Sequence, residues 1–344
     1  MQKTGDRAGR GITRGVVAAA AAAAAVVTML PVSASAESVK AAPQGPAVVE
    51  REAGAGFDRA VTRNKGGVGT NSAGSGGRSG DFNGDSRADI LARQASNGLL
   101  KVYPHSGAFQ GTATFRAAVT INSGWGAMRW IGQGDLTGDG NPDVIYVDAG
   151  NTMRVAPHSG TFNGTATLTS SVAIGSGWQI NDLITTADLD GNGLDDVIAR
   201  RRGTDTTYIY WNDAGLNGTS TLTPAEPLIT GTAVDIEEIF GDFTGDGQLD
   251  LLFVQNDGVM GLYDPAARET YAISYGWGIA SAFVVSDVNG DGWSDVLARR
   301  RSDGALLAYR HSTNWAPAAD GTAFGTLTGA VSLGTGWNTN NVIS

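Results

Sequence analysis

The chain has 344 residues, a formal charge of −10, 50 glycines, 10 prolines and no cysteine. That acidity leaves no electrostatic case for binding nucleic acid or anionic lipid. The absence of cysteine excludes a disulfide framework and, with only three histidines, argues against zinc or copper.

Residues 1–36 read as an export signal. Lys3, Arg7, Arg10 and Arg14 form a basic start, residues 15–32 an apolar core, and Ala34-Ser35-Ala36 a small-residue cleavage site. An uncleaved anchor is the alternative. Cleavage would make Glu37 the first residue and leave a chain of charge about −13. The expectation is a secreted, extracellular, monomeric protein with no membrane contact after cleavage. With no adjacent arginine pair in the signal, the general secretory route is expected. Residues 37–80 then read as a flexible linker, mostly disordered. The stretch 64–80 is Gly/Ser-rich, and Gly54 and Gly56 weaken a short helix within 48–64.

From residue 81 the chain repeats. GDFNGDSRADILAR (80–93) returns as GDLTGDGNPDVIYV (134–147), ADLDGNGLDDVIAR (187–200), GDFTGDGQLDLLFV (241–254) and SDVNGDGWSDVLAR (286–299). The leading acids Asp81, Asp135, Asp188, Asp242 and Asp287 are 54, 53, 54 and 45 residues apart. A Gly-Trp pair runs in phase at Trp125, Trp178, Trp277 and Trp337, and three of these tryptophans stand ten residues before a leading acid. Between the markers lie short segments rich in β-branched and aromatic residues, such as ADILARQ, LLKVYPH, TATFRAAVTI and MRWIGQ. Four strands in about 53 residues match a propeller blade. The chain ends at the strand before a sixth acid loop, and that strand is what the first repeat lacks. The fold expected over 81–344 is therefore all-β, a five-bladed propeller of four-stranded blades closed by the C-terminal strand. An open solenoid is the alternative.

Each acid loop offers oxygen at places 1, 3, 5 and 9 counted from the leading acid. The sets are Asp81, Asn83, Asp85, Asp89; Asp135, Thr137, Asp139, Asp143; Asp188, Asp190, Asn192, Asp196; Asp242, Thr244, Asp246, Asp250; and Asp287, Asn289, Asp291, Asp295. Hard oxygen donors on a tight loop suit Ca²⁺, about five ions per chain, better than Mg²⁺. Polar turns without an ion are the alternative. Place 12 carries no acid, which excludes an EF-hand loop.

The array resembles the FG-GAP/VCBS repeats of integrin-α-like calcium-binding propellers, of the type found in secreted bacterial proteins. The resemblance covers residues 81–344 and maps the ligand pattern onto the loop residues just named. It implies a structural calcium role. Two departures stand out: Phe-Gly itself survives only at Phe240-Gly241, and Ser86 replaces the glycine of the first loop.

No catalytic residues are assigned. His105, His158 and His311 each precede a serine but recur once per blade, so they cannot converge as a triad. They read as turn residues, with a repeated sugar pocket including Asn212 as the alternative. The Gly-Trp tryptophans read as packing between blades; Trp130, Trp211, Trp293 and Trp315 are freer to stack on a ligand. The function expected is a binding or adhesion module for an extracellular glycan, a cell-wall polymer or a protein. An extracellular polysaccharide lyase or hydrolase on the same scaffold is the alternative.

Overall fold

The computed structural model describes residues 47–64 and 80–344, all within one compact unit, Gly45–Ser344. The expected export signal, and residues 37–46 and 65–79 of the expected linker, lie outside the described residues. The chain begins with β1 (Glu52–Ala53) and α1 (Ala55–Asn64). The first blade contains β2 (Ile90–Gln94), β3 (Leu100–Tyr103) and β4 (Val119–Asn122). The second contains β5 (Trp130–Gly134), β6 (Asp143–Val147), β7 (Thr152–Ala156) and β8 (Val172–Ser176). The third contains β9 (Asn181–Ala187), β10 (Asp196–Arg201), β11 (Thr206–Tyr210) and β12 (Glu226–Thr230). In the fourth are β13 (Asp235–Gly241), β14 (Asp250–Gln255), β15 (Val259–Asp264) and β16 (Glu269–Tyr275). The fifth has β17 (Ala280–Ser286), β18 (Asp295–Arg300), β19 (Leu306–Tyr309) and β20 (Val331–Gly334), and β21 (Asn340–Ile343) ends the chain.

These strands form five antiparallel sheets, so the fold is the expected five-bladed propeller. The C-terminal strand closes it. β21 pairs with β2, Val342 opposite Arg93 and Ile343 opposite Ala92, and Ser344 and Leu91 exchange hydrogen bonds of 2.9 Å. Second strands such as β6 and β14 are buried throughout because they lie mid-blade with neighbours on both faces, which is why VIYV and LLFV read as unbroken apolar runs. The outer strand of the first repeat is shorter than TATFRAAVTI suggested. Only Val119–Asn122 pairs fully; the part before it makes a 3₁₀ turn and one bridge, Phe115 to His105.

The core is divided among the seams between blades. The seam of blades one and two holds Leu91, Val102, Ile121 and Trp125 against Ile131, Val144 and Tyr146; four comparable clusters fill the others. The Gly-Trp tryptophans are seam residues, as expected. Each follows a glycine at φ 84–88°, a left-handed turn that a side chain would strain, and each is buried. Each ring rests on a tyrosine of the next blade: Trp125 on Tyr146 at 4.7 Å, Trp178 on Tyr210 at 4.9 Å, Trp277 on Tyr309 at 4.6 Å and Trp337 on Tyr103 at 4.5 Å.

The seam of blades three and four has no such tryptophan, because Thr232 stands in its place after Gly231. Here the expectation of a linker fails for residues 47–64. β1 adds a fifth strand to blade three, Glu52 opposite Thr230, and Phe57 and Ala60 of α1 are buried in the seam cluster. Arg51 fills the vacant position. Its guanidinium lies 3.8 Å over the ring of Phe253, the counterpart of Tyr146, and pairs with buried Asp235 at 2.6 Å. The glycines that argued against a helix serve contact instead: a Cβ on Gly56 would come 2.9 Å from Ile209 and 3.1 Å from the carbonyl of Pro227.

Truncating the buried Phe57 ring tests whether this segment belongs to the core. Phe57→Ala is expected to cost about 3–5 kcal/mol in denaturant unfolding. A cost under about 1 kcal/mol would show the segment detached in solution.

Candidate metal centres

In blades two to five the acid loop joins the innermost strand to the second; in blade one it leads into β2, whose innermost neighbour β21 comes from the C-terminus, so all five loops precede a second strand at one end of the channel. The loop folds around its leading carboxylate. Asp81 Oδ1 accepts the N–H groups of Gly84 and Asp85 at 2.8 and 3.0 Å, and Oδ2 accepts that of Ser86 at 2.7 Å. Asp135, Asp188, Asp242 and Asp287 repeat the pattern. Places 4 and 6 are left-handed in every loop. Gly fills both except at Ser86, which holds φ 66°.

The last acid of each loop has a different task. Asp143 Oδ2 accepts from the N–H groups of Leu136 and Thr137 at 3.0 and 3.1 Å, and Oδ1 from that of His158 at 2.9 Å. Asp89, Asp196 and Asp295 likewise clasp a place-2 amide and the mid-repeat amide of His105, Asn212 or His311. These acids latch the loop, the second strand and the mid-repeat turn together. Burial pushes the carboxyls of Asp89, Asp143 and Asp295 up to about 7; repulsion from the acids at places 1 and 5 adds to this, and the backbone donors oppose it.

Blade four departs from this pattern. Pro265 occupies the mid-repeat position and has no N–H, so Asp250 Oδ1 is buried without a hydrogen-bond partner. In the same loop Thr244 Oγ1 and Gln248 Oε1 are also buried and unpartnered. Blade three departs differently. Asp188, Asp190 and Asp196 each bring an oxygen within 4.8 Å of the others, and among the described residues no other group of three acids or histidines gathers so closely. The guanidinium of Arg63, from α1, sits on Asp190.

A cation suits both arrangements. The blade-three loop gathers three carboxylates and already holds one cationic group, and the blade-four loop presents orphaned oxygens at two of its four expected ligand places, Thr244 and Asp250. All the donors are hard oxygens, as Ca²⁺ prefers.

Two of the three histidines, His105 and His311, are more than turn residues, whereas the Nε2 of His158 is buried without a hydrogen-bond partner. The Nε2 of His105 reaches the carbonyl of Val288 in blade five at 3.0 Å, and that of His311 the carbonyl of Phe243 in blade four at 3.0 Å. Their Nδ1 atoms accept from Gly107 and Thr313. A carbonyl only accepts and an amide only donates, so both rings are held as the neutral Nε2–H tautomer, in keeping with the lowered pKa that burial gives them. Asn212 does the same through its amide to Leu136 at 3.1 Å. These are clasps between blades, and the positions do not converge as a triad.

The freer tryptophans fall into three groups. Trp211 is fully buried beneath Arg59, and Trp293 stacks on His311 at 4.4 Å. Trp315 packs edge-on against Tyr271. Trp130 alone lines the central channel.

Two substitutions separate folding from ligation. In chelator, Asp143→Asn is expected to destabilise by about 2 kcal/mol, because the new amide must point a donor at a donor; Asp139→Asn, at an exposed place, should change stability by less than about 0.5 kcal/mol. Equal effects would remove the latch. Ser86→Gly relieves the left-handed strain and is expected to stabilise by about 1 kcal/mol, read as a higher melting temperature.

The FG-GAP-like repeat family matches at residues 81–146, 135–199 and 188–253, each span running from one leading acid into the second strand of the next blade. No curated protein matches the chain. The overlapping spans cover residues 81–253, half of the sequence, and with the five-bladed fold they show that this chain belongs to the FG-GAP-like repeat family.

Proposed function

We propose that this chain is an exported, calcium-braced binding module whose ligand is an extracellular glycan, a cell-wall polymer or a protein. The family and the propeller support a scaffold of the binding or adhesion type. Among the described residues no helix is long and apolar enough to cross a membrane. Export rests on the basic start, apolar core and cleavage site of residues 1–36.

The observation that carries the calcium reading is the loop chemistry: three gathered carboxylates in blade three and orphaned oxygens in blade four. Asp188, Asp190, Asn192 and Asp196 would hold the ion in blade three, and Asp242, Thr244, Asp246 and Asp250 in blade four. The other three sets follow the same places. A bound divalent cation supplies positive charge to carboxylates that otherwise repel each other. The chain's own part is to preorganise the loops: leading acids fix the turn, and last acids anchor it to the blade. An exported chain without cysteine thereby gains a brace that disulfides give elsewhere.

Titrating chelator-stripped protein with Ca²⁺ by calorimetry tests this. About five ions are expected per chain, with a large rise in melting temperature. At 100 times Kd each site contributes about 2.7 kcal/mol. The Asp139→Asn protein should lose one ion while keeping its metal-free stability. No heat and no shift in melting would end the calcium reading and leave five polar turns.

A further inference from the structure

The innermost strands β5, β9, β13, β17 and β21 enclose the propeller axis and a cavity of about 150 Å³. Its walls combine apolar side chains, including Ile131, Ile184, Ile239 and Phe283, with the polar Gln133, Thr185, Thr186 and Ser344, and polar groups make up most of the surface they expose. Two side chains stand out. Glu237 and Trp130 occupy the same register position in their blades, opposite Val254 and Val147, each four residues beyond the last acid of its loop. Blades one and three place Val342 and Leu183 there. Glu237 is the one acid among those four.

Glu237 belongs to a run of three acids on β13, and the cations nearby serve the other two. Asp235 pairs with Arg51 at 2.6 Å. Glu238, on the opposite face of the strand, accepts the hydroxyl of Thr207 at 2.8 and 3.0 Å; burial pushes its carboxyl up to about 7, and Thr207, Arg200 and Arg51 oppose that rise. Glu237 faces no cation among the described residues; the neighbouring N–H of Glu238 is the one group beside it that favours its charged form. Burial first, and the Glu238 charge next, push its carboxyl up to about 8. The protein surrounds this group, yet the cavity reaches it. Leucine at the same position in blade three shows that the fold does not need an acid here.

Trp130 lies along its own strand. A Cβ on Gly132 would come 2.5 Å from the edge of its indole, so the glycine leaves room for the ring at the channel wall. Gln133, on the same strand and lining the same cavity, has a buried Oε1 with no partner. The channel therefore offers an unneutralised carboxyl, an aromatic surface and a surplus of acceptors within walls of mixed character. A bare divalent ion would find one side-chain carboxylate and otherwise only the neutral side-chain oxygens of Gln133, Thr185, Thr186 and Ser344, a poor match for its charge. A neutral apolar molecule would leave the acid unpaired. A cation with N–H donors and a short carbon chain meets both halves of the site, and an engineered cavity of about 150 Å³ holds a molecule as large as benzene.

We propose that the central channel binds an organic ammonium group, with its N–H donors on the Glu237 carboxylate and its alkyl carbons beside the Trp130 indole. The group belongs either to a free alkylamine or to a lysine side chain entering from a partner protein. This site is independent of the acid loops, and its test is run at saturating Ca²⁺ and again in chelator to keep the two apart.

Binding of n-butylammonium, of Nα-acetyl-lysine amide and of n-butanol to the mature protein would be measured by calorimetry and saturation-transfer NMR. The ammonium probes are expected to bind and butanol not. Preference for the free amine identifies the first source; preference for the lysine derivative identifies the second. Glu237→Gln should weaken binding at least tenfold while leaving the melting temperature unchanged or higher, since it removes a partly buried acid that no cation neutralises. Trp130→Leu should weaken it severalfold, with Trp130→Phe retaining most of the affinity. Binding of butanol as tight as the amine, unchanged binding by Glu237→Gln, full competition by K⁺, or no binding by either ammonium probe would each overturn the proposal.

Discussion

The fold depends on a carboxylate that receives backbone N–H groups from two directions. In four blades the last acid of the loop binds a place-2 amide with one oxygen and a mid-repeat amide with the other. That fixes the start of the second strand, the path of the acid loop and the turn after the third strand at once. The mid-repeat side chain then crosses to the next loop, as His105 does to Val288 and Asn212 to Leu136. A local hydrogen-bond pattern thus becomes a contact between blades. The same acids are desolvated and crowded by carboxylates, so the arrangement that orders the loop also creates its demand for positive charge.

What could be read from the sequence was whatever recurs in phase. The strand sets, the closing strand and the seam tryptophans follow from markers repeated four or five times. The last acids were legible as a pattern and not as a role: DxNGDG spacing identifies a carboxylate, and only the fold reveals that backbone donors surround it. The histidine clasps were hidden for a related reason, because each partner carbonyl belongs to a blade far off in the chain. Residues 47–64 escaped because their signals compete. Gly54 and Gly56 weaken a helix by propensity, yet the packing against Pro227 and Ile209 requires residues without side chains. The absence of a fifth Gly-Trp tryptophan, at Thr232, was the available clue, since a seam that lacks its repeated filler needs another.

Arg51 shows how unlike groups can meet one requirement. The other seams place an indole against a tyrosine ring; here a planar guanidinium lies on Phe253 and also neutralises Asp235. This substitution ties the N-terminal segment to the acids of β13. α1 extends the link further, because Arg59 and Arg63 meet Asp213, and Arg63 meets Asp190 at the acid loop of blade three. One short segment therefore completes a seam, extends a sheet and holds a cationic group on the most compact cluster of acids among the described residues.

Most departures from five-fold repetition gather in one place, although Ser86 in blade one and Trp130 in blade two lie elsewhere. The missing tryptophan, the proline that breaks a latch, the shortened mid-repeat turn, the three acids of β13 and the docked N-terminal segment all fall in blade four or on its seam with blade three. Residues that repeat can be explained by what every blade needs: a filled seam, an ordered loop, a fixed turn. Arg51 and Phe57 belong with that group, since they restore a seam that would otherwise lack its filler. Glu237 does not. It completes no seam, accepts no cation among the described residues, and replaces the apolar residue that blades one and three manage with. Even a partly buried acid with no cation beside it contributes nothing to the fold that carries it. Unlike the orphaned oxygens of the blade-four loop, Glu237 stands on the channel wall, and that residue is where a function separate from holding the propeller together is to be sought.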